Sequence, residues 1–163
     1  MSASLHVESD RHVAAAPQAV FERLDDQTRL AGHMEQPSLM MGGGRMCYAF
    51  DQAGGRAVGS HIKMGGKAFG ISLFVDEVVT EREAPRRKVW RTAGATHLIV
   101  IDGYEMGFAL TPADGGTDLR VWIDYTLPQG FWRWLAALPA RFYARWCVGR
   151  MTADAAEHFA IAR

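Results

Sequence analysis

The sequence predicts an α+β fold: a curved antiparallel sheet of about seven strands, two short helices after strand 1, and a long C-terminal helix. Two observations carry the prediction. Tyr104, Met106, Phe108 and Leu110 alternate with Glu105, Gly107, Ala109 and Thr111. After Pro112-Ala113-Asp114-Gly115-Gly116, Leu119, Val121, Ile123 and Tyr125 alternate with Asp118, Arg120, Trp122 and Asp124. That period of two marks a β-hairpin with one apolar face. With Leu110 opposite Leu119, both apolar sets share that face. The second observation is the final segment, Leu138 to Ala162, which has helical spacing and supplies the cover that a wide apolar sheet face requires.

The elements follow in order. Leu5, Val7, Ser9, Arg11 and Val13 alternate with charged residues and histidines, which reads as a strand over 5–13. Ala14-Ala15-Ala16-Pro17 breaks it, and proline suits the first turn of a helix, where its missing N–H has no partner to lose. Pro17 to Leu24 is that helix, with Val20, Phe21 and Leu24 facing inward. Asp25 or Asp26 caps a second helix, Gln27 to His33. Met34 to Gly44 reads as irregular. Strands are expected at Arg45–Asp51, Ala57–Met64 (turning at Gly65-Gly66), Phe69–Glu83, Arg87–Thr92, Leu98–Thr111 and Asp118–Leu127. Phe131 to Leu138 reads as a short helix, and Pro139 as a kink or a fresh start. From there Phe142, Trp146, Cys147, Met151, Ala155 and Phe159 recur at helical spacing.

Composition narrows the function classes. A chain of 163 residues suits one domain over 1–163 with a full core. Lysine plus arginine equals aspartate plus glutamate, 18 against 18, which gives no support to nucleic-acid binding. Cys47 and Cys147 stand alone, so no CxxC pair or zinc knuckle forms. No histidines have metal-ligand spacing, so no metal and no cofactor are expected. Neither Gly42-Gly43-Gly44-Arg45 nor Gly65-Gly66-Lys67-Ala68 is a phosphate loop, and Ser60 and Ser72 lack a nucleophile elbow. The start, Met1-Ser2-Ala3-Ser4-Leu5-His6, lacks signal-peptide character, and no apolar run approaches the ~20 residues of a transmembrane segment. A cytoplasmic, reduced protein is the default expectation, and a two-fold homodimer a generic one.

Several motifs together resemble those of the SRPBCC superfamily, which includes START-type lipid-binding domains, birch-pollen-allergen-like proteins and the polyketide cyclase/dehydrase group. Val13-Ala14-Ala15-Ala16-Pro17-Gln18-Ala19-Val20-Phe21 is similar to the family's opening strand-to-helix step. Val58-Gly59-Ser60-His61-Ile62 resembles its "VGS" strand. Val78 to Trp90, through Glu81, Pro85, Arg86 and Arg87, resembles its V-x-E-x-x-P-R-R-x-x-W hairpin, and Leu110-Thr111-Pro112 through Gly115-Gly116-Thr117 its "L-T-P…GGT" turn. The resemblance covers nearly the whole chain. It implies a helix-grip fold with a cavity for an apolar or amphipathic small molecule, and it carries no shared catalytic residue. Fold alone does not choose among lipid transfer, polyketide cyclisation and sensing.

The best polar cluster is Asp102, Tyr104 and Tyr125 at one end of the apolar face. The phenols would orient a ligand carbonyl, and Asp102 would act as a base if burial raised its pKa. The preferred reading leaves Asp102 in solvent and gives Tyr104 a ligand-lining role. Trp90, Met46, Tyr48, Met64, Met106, Phe108, Phe142 and Trp146 complete the candidate lining, each serving equally well as core. His61 and Lys63 fall on the opposite face, and His33, with Met34 and Glu35, on a loop near the expected mouth. Phe131-Trp132-Arg133-Trp134-Leu135 reads first as a lid and otherwise as a peripheral membrane anchor or subunit contact. The leading expectation is binding of a small hydrophobic or amphipathic ligand. The alternative is a polyketide cyclase/dehydratase-type enzyme using Asp102 and Tyr104, and a third reading is docking through Trp132 and Trp134.

Overall fold

A computed structural model describes residues 4–30, 42–130 and 133–161. The order is β1 (Leu5–Val13), α1 (Pro17–Asp25), α2 (Gln27–Leu30), β2 (Met46–Phe50), β3 (His61–Ala68), β4 (Ile71–Glu83), β5 (Arg87–Thr92), β6 (Gly103–Ala113), β7 (Gly116–Thr126) and α3 (Arg133–Ile161). The strands form one antiparallel sheet of seven, in the order β1-β7-β6-β5-β4-β3-β2. This is the expected helix-grip arrangement. Leu110 does face Leu119, and Tyr104 faces Tyr125.

Local chemistry explains most boundaries. Pro17 opens α1, whose Val20, Phe21 and Leu24 are buried. Phe21 meets Phe108 of β6 edge-on, with ring centroids 5.5 Å apart. Asp26 starts α2 by accepting the Thr28 N–H at 3.1 Å. The expected extension of α2 to His33 and the irregular stretch to Met41 lie outside the described residues.

Three expectations are corrected. Gly65 and Gly66 do not turn the chain; they lie inside β3, and the turn comes at Phe69 and Gly70, both at positive φ. Glycine serves close approach there, since a Cβ on Gly66 would fall 2.1 Å from the Arg45 carbonyl oxygen. Residues 98–102 are not part of β6. The sheet lets them go after a single bridge between His97 and Phe74, and they fold over its inner face instead. Pro139 neither ends nor restarts a helix, because α3 runs through it. The carbonyl that proline deprives of a partner belongs to Leu135, which is exposed and can bond water.

The face of α3 that meets the sheet differs from expectation in part. Cys147, Met151 and Ala155 are buried as expected, but so are the small residues Ala140, Ala144, Val148 and Thr152, and the helix packs chiefly on β1 and β7. Their short side chains let backbone approach backbone, and Ser9 of β1 bonds Thr152 between hydroxyl oxygens 3.0 Å apart. Phe142 and Trp146, expected to face inward, flank this stripe; Phe142 is 65% exposed. Hence Ala144→Leu should destabilise the fold by about 1–3 kcal/mol through overpacking. Phe142→Ala should stay within about 1 kcal/mol of the parent. Urea unfolding midpoints of both variants check this, and the reverse ranking would refute the seating of α3.

Candidate functional site

Because α3 seats on β1 and β7, the β2–β5 half of the inner face lacks a helix pressed against it. A cavity of about 330 Å³ lies there. Its walls are Met46 and Tyr48 of β2, Met64 of β3, Leu73, Val75 and Glu77 of β4, Trp90 of β5, and Tyr104 and Met106 of β6. Leu98 to Ile101 close one side, and Phe142, Tyr143, Cys147 and Met151 of α3 another. Gln27 and Leu30 of α2 also contribute. Phe69, Ile99 and Phe142 line it while remaining exposed, so they mark its opening. The volume and the apolar walls suit a small organic molecule.

Among the described residues, one ionisable carboxyl stands in this wall. Glu77 is 3% exposed, opposite Ile62 on β3 and Thr92 on β5. The Tyr104 hydroxyl donates to Glu77 Oε1. Burial pushes the Glu77 carboxyl up to about 7, against hydrogen bonds from Tyr104 and Trp90 that pull it down. Burial and the neighbouring Glu77 push the Tyr104 phenol well above its ordinary range. Tyr143 is likewise raised by burial, and the Cys147 thiol is pushed up to about 12. Near neutrality the phenols and the thiol hold their protons, while Glu77 can gain or lose one. Gln27 adds a second polar feature: it is 4% exposed, and its Oε1 has no hydrogen-bond partner among the described residues.

A separate polar cluster is structural. Lys88 of β5 is 0% exposed and pairs with Asp25 at 2.9 Å, while its Nζ also donates to the Asp25 carbonyl at 3.0 Å. Arg82 reaches the same carboxylate at 2.8 Å. Burial alone would raise Asp25, but the bonds from Arg82 and Lys88 prevail and hold it below the usual carboxylate range. The three tie the end of α1 to the sheet.

Of the residues singled out in the sequence, Met46, Tyr48, Met64, Trp90, Tyr104, Met106 and Phe142 line the cavity. Phe108 and Tyr125 lie on the correct face but are core, buried under the α3 side of the sheet. Trp146 packs with Tyr143, ring centroids 5.9 Å apart, and is not in the wall. Asp102 is exposed just before β6, and the acid that Tyr104 hydrogen-bonds is Glu77. His61 and Lys63 face outward, and His61 bonds Asp76 at 2.9 Å. Trp134 is 64% exposed, which does not fit a packed lid; Trp132 and His33 lie outside the described residues. Sequence reasoning missed Glu77, although its parity with the buried Val75 and Val79 was a usable signal.

Comparison with known proteins gives a consistent picture. The family model described as "Polyketide cyclase / dehydrase and lipid transport" matches residues 4–159. No curated protein matches the chain by sequence. Among solved structures, a Thermus thermophilus protein, TTHA0849, is similar at TM-score 0.71 and 15% identity, over 97% of this chain and 99% of that one. The di-domain ARO/CYC StfQ of the steffimycin biosynthetic pathway is similar at TM-score 0.67 and 16% identity, over 98% of this chain and 52% of that one. Ginseng major latex-like protein 151 from Panax ginseng is similar at TM-score 0.64 and 11% identity, over 96% of this chain and 97% of that one. At these identities the likeness concerns the fold. Among the described residues, no helix is long and apolar enough to cross a membrane.

Burial of Glu77 has a measurable consequence for stability. An ordinary glutamate titrates near 4.5, whereas the folded protein holds this proton up to about 7. Between those values the native state binds more protons than the unfolded one, so this contribution to stability falls as pH rises. Glu77→Gln should therefore match the parent near pH 4.5 and exceed it by about 3 kcal/mol above pH 7. Urea midpoints at the two pH values test this, and an equal difference at both would refute it.

Proposed function

We propose a ligand-binding function for this chain, which belongs to the polyketide cyclase / dehydrase and lipid transport family within the SRPBCC superfamily. The ligand is a small hydrophobic or amphipathic molecule held between α3 and the β2–β5 half of the sheet. The observation that carries the reading is the cavity of about 330 Å³, apolar except for Gln27, Glu77, Cys147 and the tyrosine and tryptophan edges. Such walls favour transfer of apolar surface out of water at about 25 cal/mol per Å², while the few polar groups orient the guest.

A second reading rests on one further observation. Glu77 and Tyr104 form a hydrogen-bonded carboxyl–phenol pair inside the cavity, and the carboxyl titrates near neutrality. A group so placed can remove or return a proton at working pH, as a cyclase or dehydratase requires. On that reading Glu77 takes the role first given to Asp102. Glu77→Gln would abolish turnover on a responsive substrate, whereas the binding reading requires no turnover at all.

Blocking the cavity tests the first reading. Val75 is buried in the wall, opposite Met64. Val75→Trp should fill the space and weaken binding of 4-phenylbutanol by at least roughly tenfold, a change of about 1.4 kcal/mol. Native mass spectrometry and calorimetry read the loss, with circular dichroism confirming the fold. Undiminished binding by the blocked variant would overturn the assignment.

A further inference from the structure

Resting on that ligand-binding reading, we propose that the cavity selects an apolar molecule carrying one basic nitrogen, an aryl- or alkylamine whose ammonium group sits against Glu77. Three independent features of the wall point to a cation. Among the described residues Glu77 is its one carboxyl, and no lysine, arginine or histidine lines the space. An anionic guest would find no counter-charge on those side chains and would be repelled by an ionised Glu77. An ammonium guest would offset the cost of keeping that carboxylate out of water.

The second feature is aromatic. Trp90, Tyr104 and Tyr143 line the same cavity, and Trp90 and Tyr104 hydrogen-bond Glu77 through their polar edges. Aromatic side chains thus surround the carboxyl with which a cation would pair. The third is Gln27 Oε1, a buried acceptor without a donor among the described residues. Gln27 lines the same cavity as Glu77. An ammonium group brings three N–H donors, so it can serve more than one acceptor of the wall.

The charges around Glu77 set how the preference depends on pH. Lys88, on β5, pulls the Glu77 carboxyl down, but its own charge is spent on Asp25; Asp76, on β4, pushes it up. Tyr104 of β6 and Tyr143 and Cys147 of α3 remain neutral. Burial outweighs these neighbours, and Glu77 ionises near 7. An alkylamine keeps its proton until about pH 10, as lysine does. The two charges coexist above neutrality, and the pairing is lost as acid protonates Glu77.

Calorimetry with 4-phenylbutylamine, 4-phenylbutanol and 4-phenylbutyrate, which share one skeleton, tests the proposal. At about pH 8 the amine should bind roughly tenfold tighter than the alcohol, and the butyrate weakest. The amine-to-alcohol ratio should approach one by about pH 5.5, and Glu77→Gln should bring it near one at both pH values. Tyr104→Phe removes a bond that favours the carboxylate, so the midpoint of the pH dependence should move upward even if the Gln variant fails to fold. Alcohol binding with no gain for the amine would overturn this inference and leave the cavity reading standing. Binding of none of the three would overturn both.

Discussion

The structure depends on how closely α3 can approach β1 and β7. Ala140, Ala144, Val148, Thr152 and Ala155 present short side chains at helical spacing, and the Ser9–Thr152 hydroxyl contact fastens the helix to the edge strand. A helix drawn down there cannot also lie flat on the far half of a curved sheet. Phe108, Leu110, Leu119, Val121 and Tyr125 of β6 and β7 become core beneath it, while Met46, Met64, Val75 and Glu77 of β2 to β4, with Tyr104 and Met106 at the near end of β6, face a hollow. Sequence parity decides which face a residue takes; the seating of α3 decides whether that position is packed or open.

This distinction explains what could be read from the sequence. Period-two alternation placed β1 and β5 at their observed limits and gave the β6–β7 register down to the Leu110–Leu119 pair. Turn chemistry was less informative. Gly65-Gly66 reads as a turn by composition, yet the pair lies within β3, and Gly66 lets the Arg45 backbone pass close. The cavity residues were legible as far as face alone determines them, which is why Met46, Met64 and Met106 were found while Phe108 and Tyr125 proved to be core. Distinguishing the two sets requires the position of α3: Phe142 lines the cavity as expected, whereas Trp146 packs on Tyr143 outside its wall.

Glu77 illustrates a different limit. Strand β4 carries Asp76, Glu77, Glu81 and Glu83, and charge by itself suggests a solvated strand. The alternation of Val75, Glu77 and Val79 places one of these carboxylates indoors, where burial, rather than a neighbouring charge, governs its proton. The same logic separates Glu77 from Asp25, which is also buried but held ionised by Arg82 and Lys88. One carboxylate ties a helix to the sheet, and the other gives an apolar cavity a titratable acid near neutrality.

The account stands on a real hollow between α3 and the β2–β5 half of the sheet. A crystal of the protein equilibrated under xenon tests it without reference to any natural ligand, since xenon enters dry apolar space. The expected result is anomalous density bounded by Met64, Val75, Met106 and Met151. Side chains filling that volume, or α3 lying across β3 and β4 instead of β1 and β7, would contradict it.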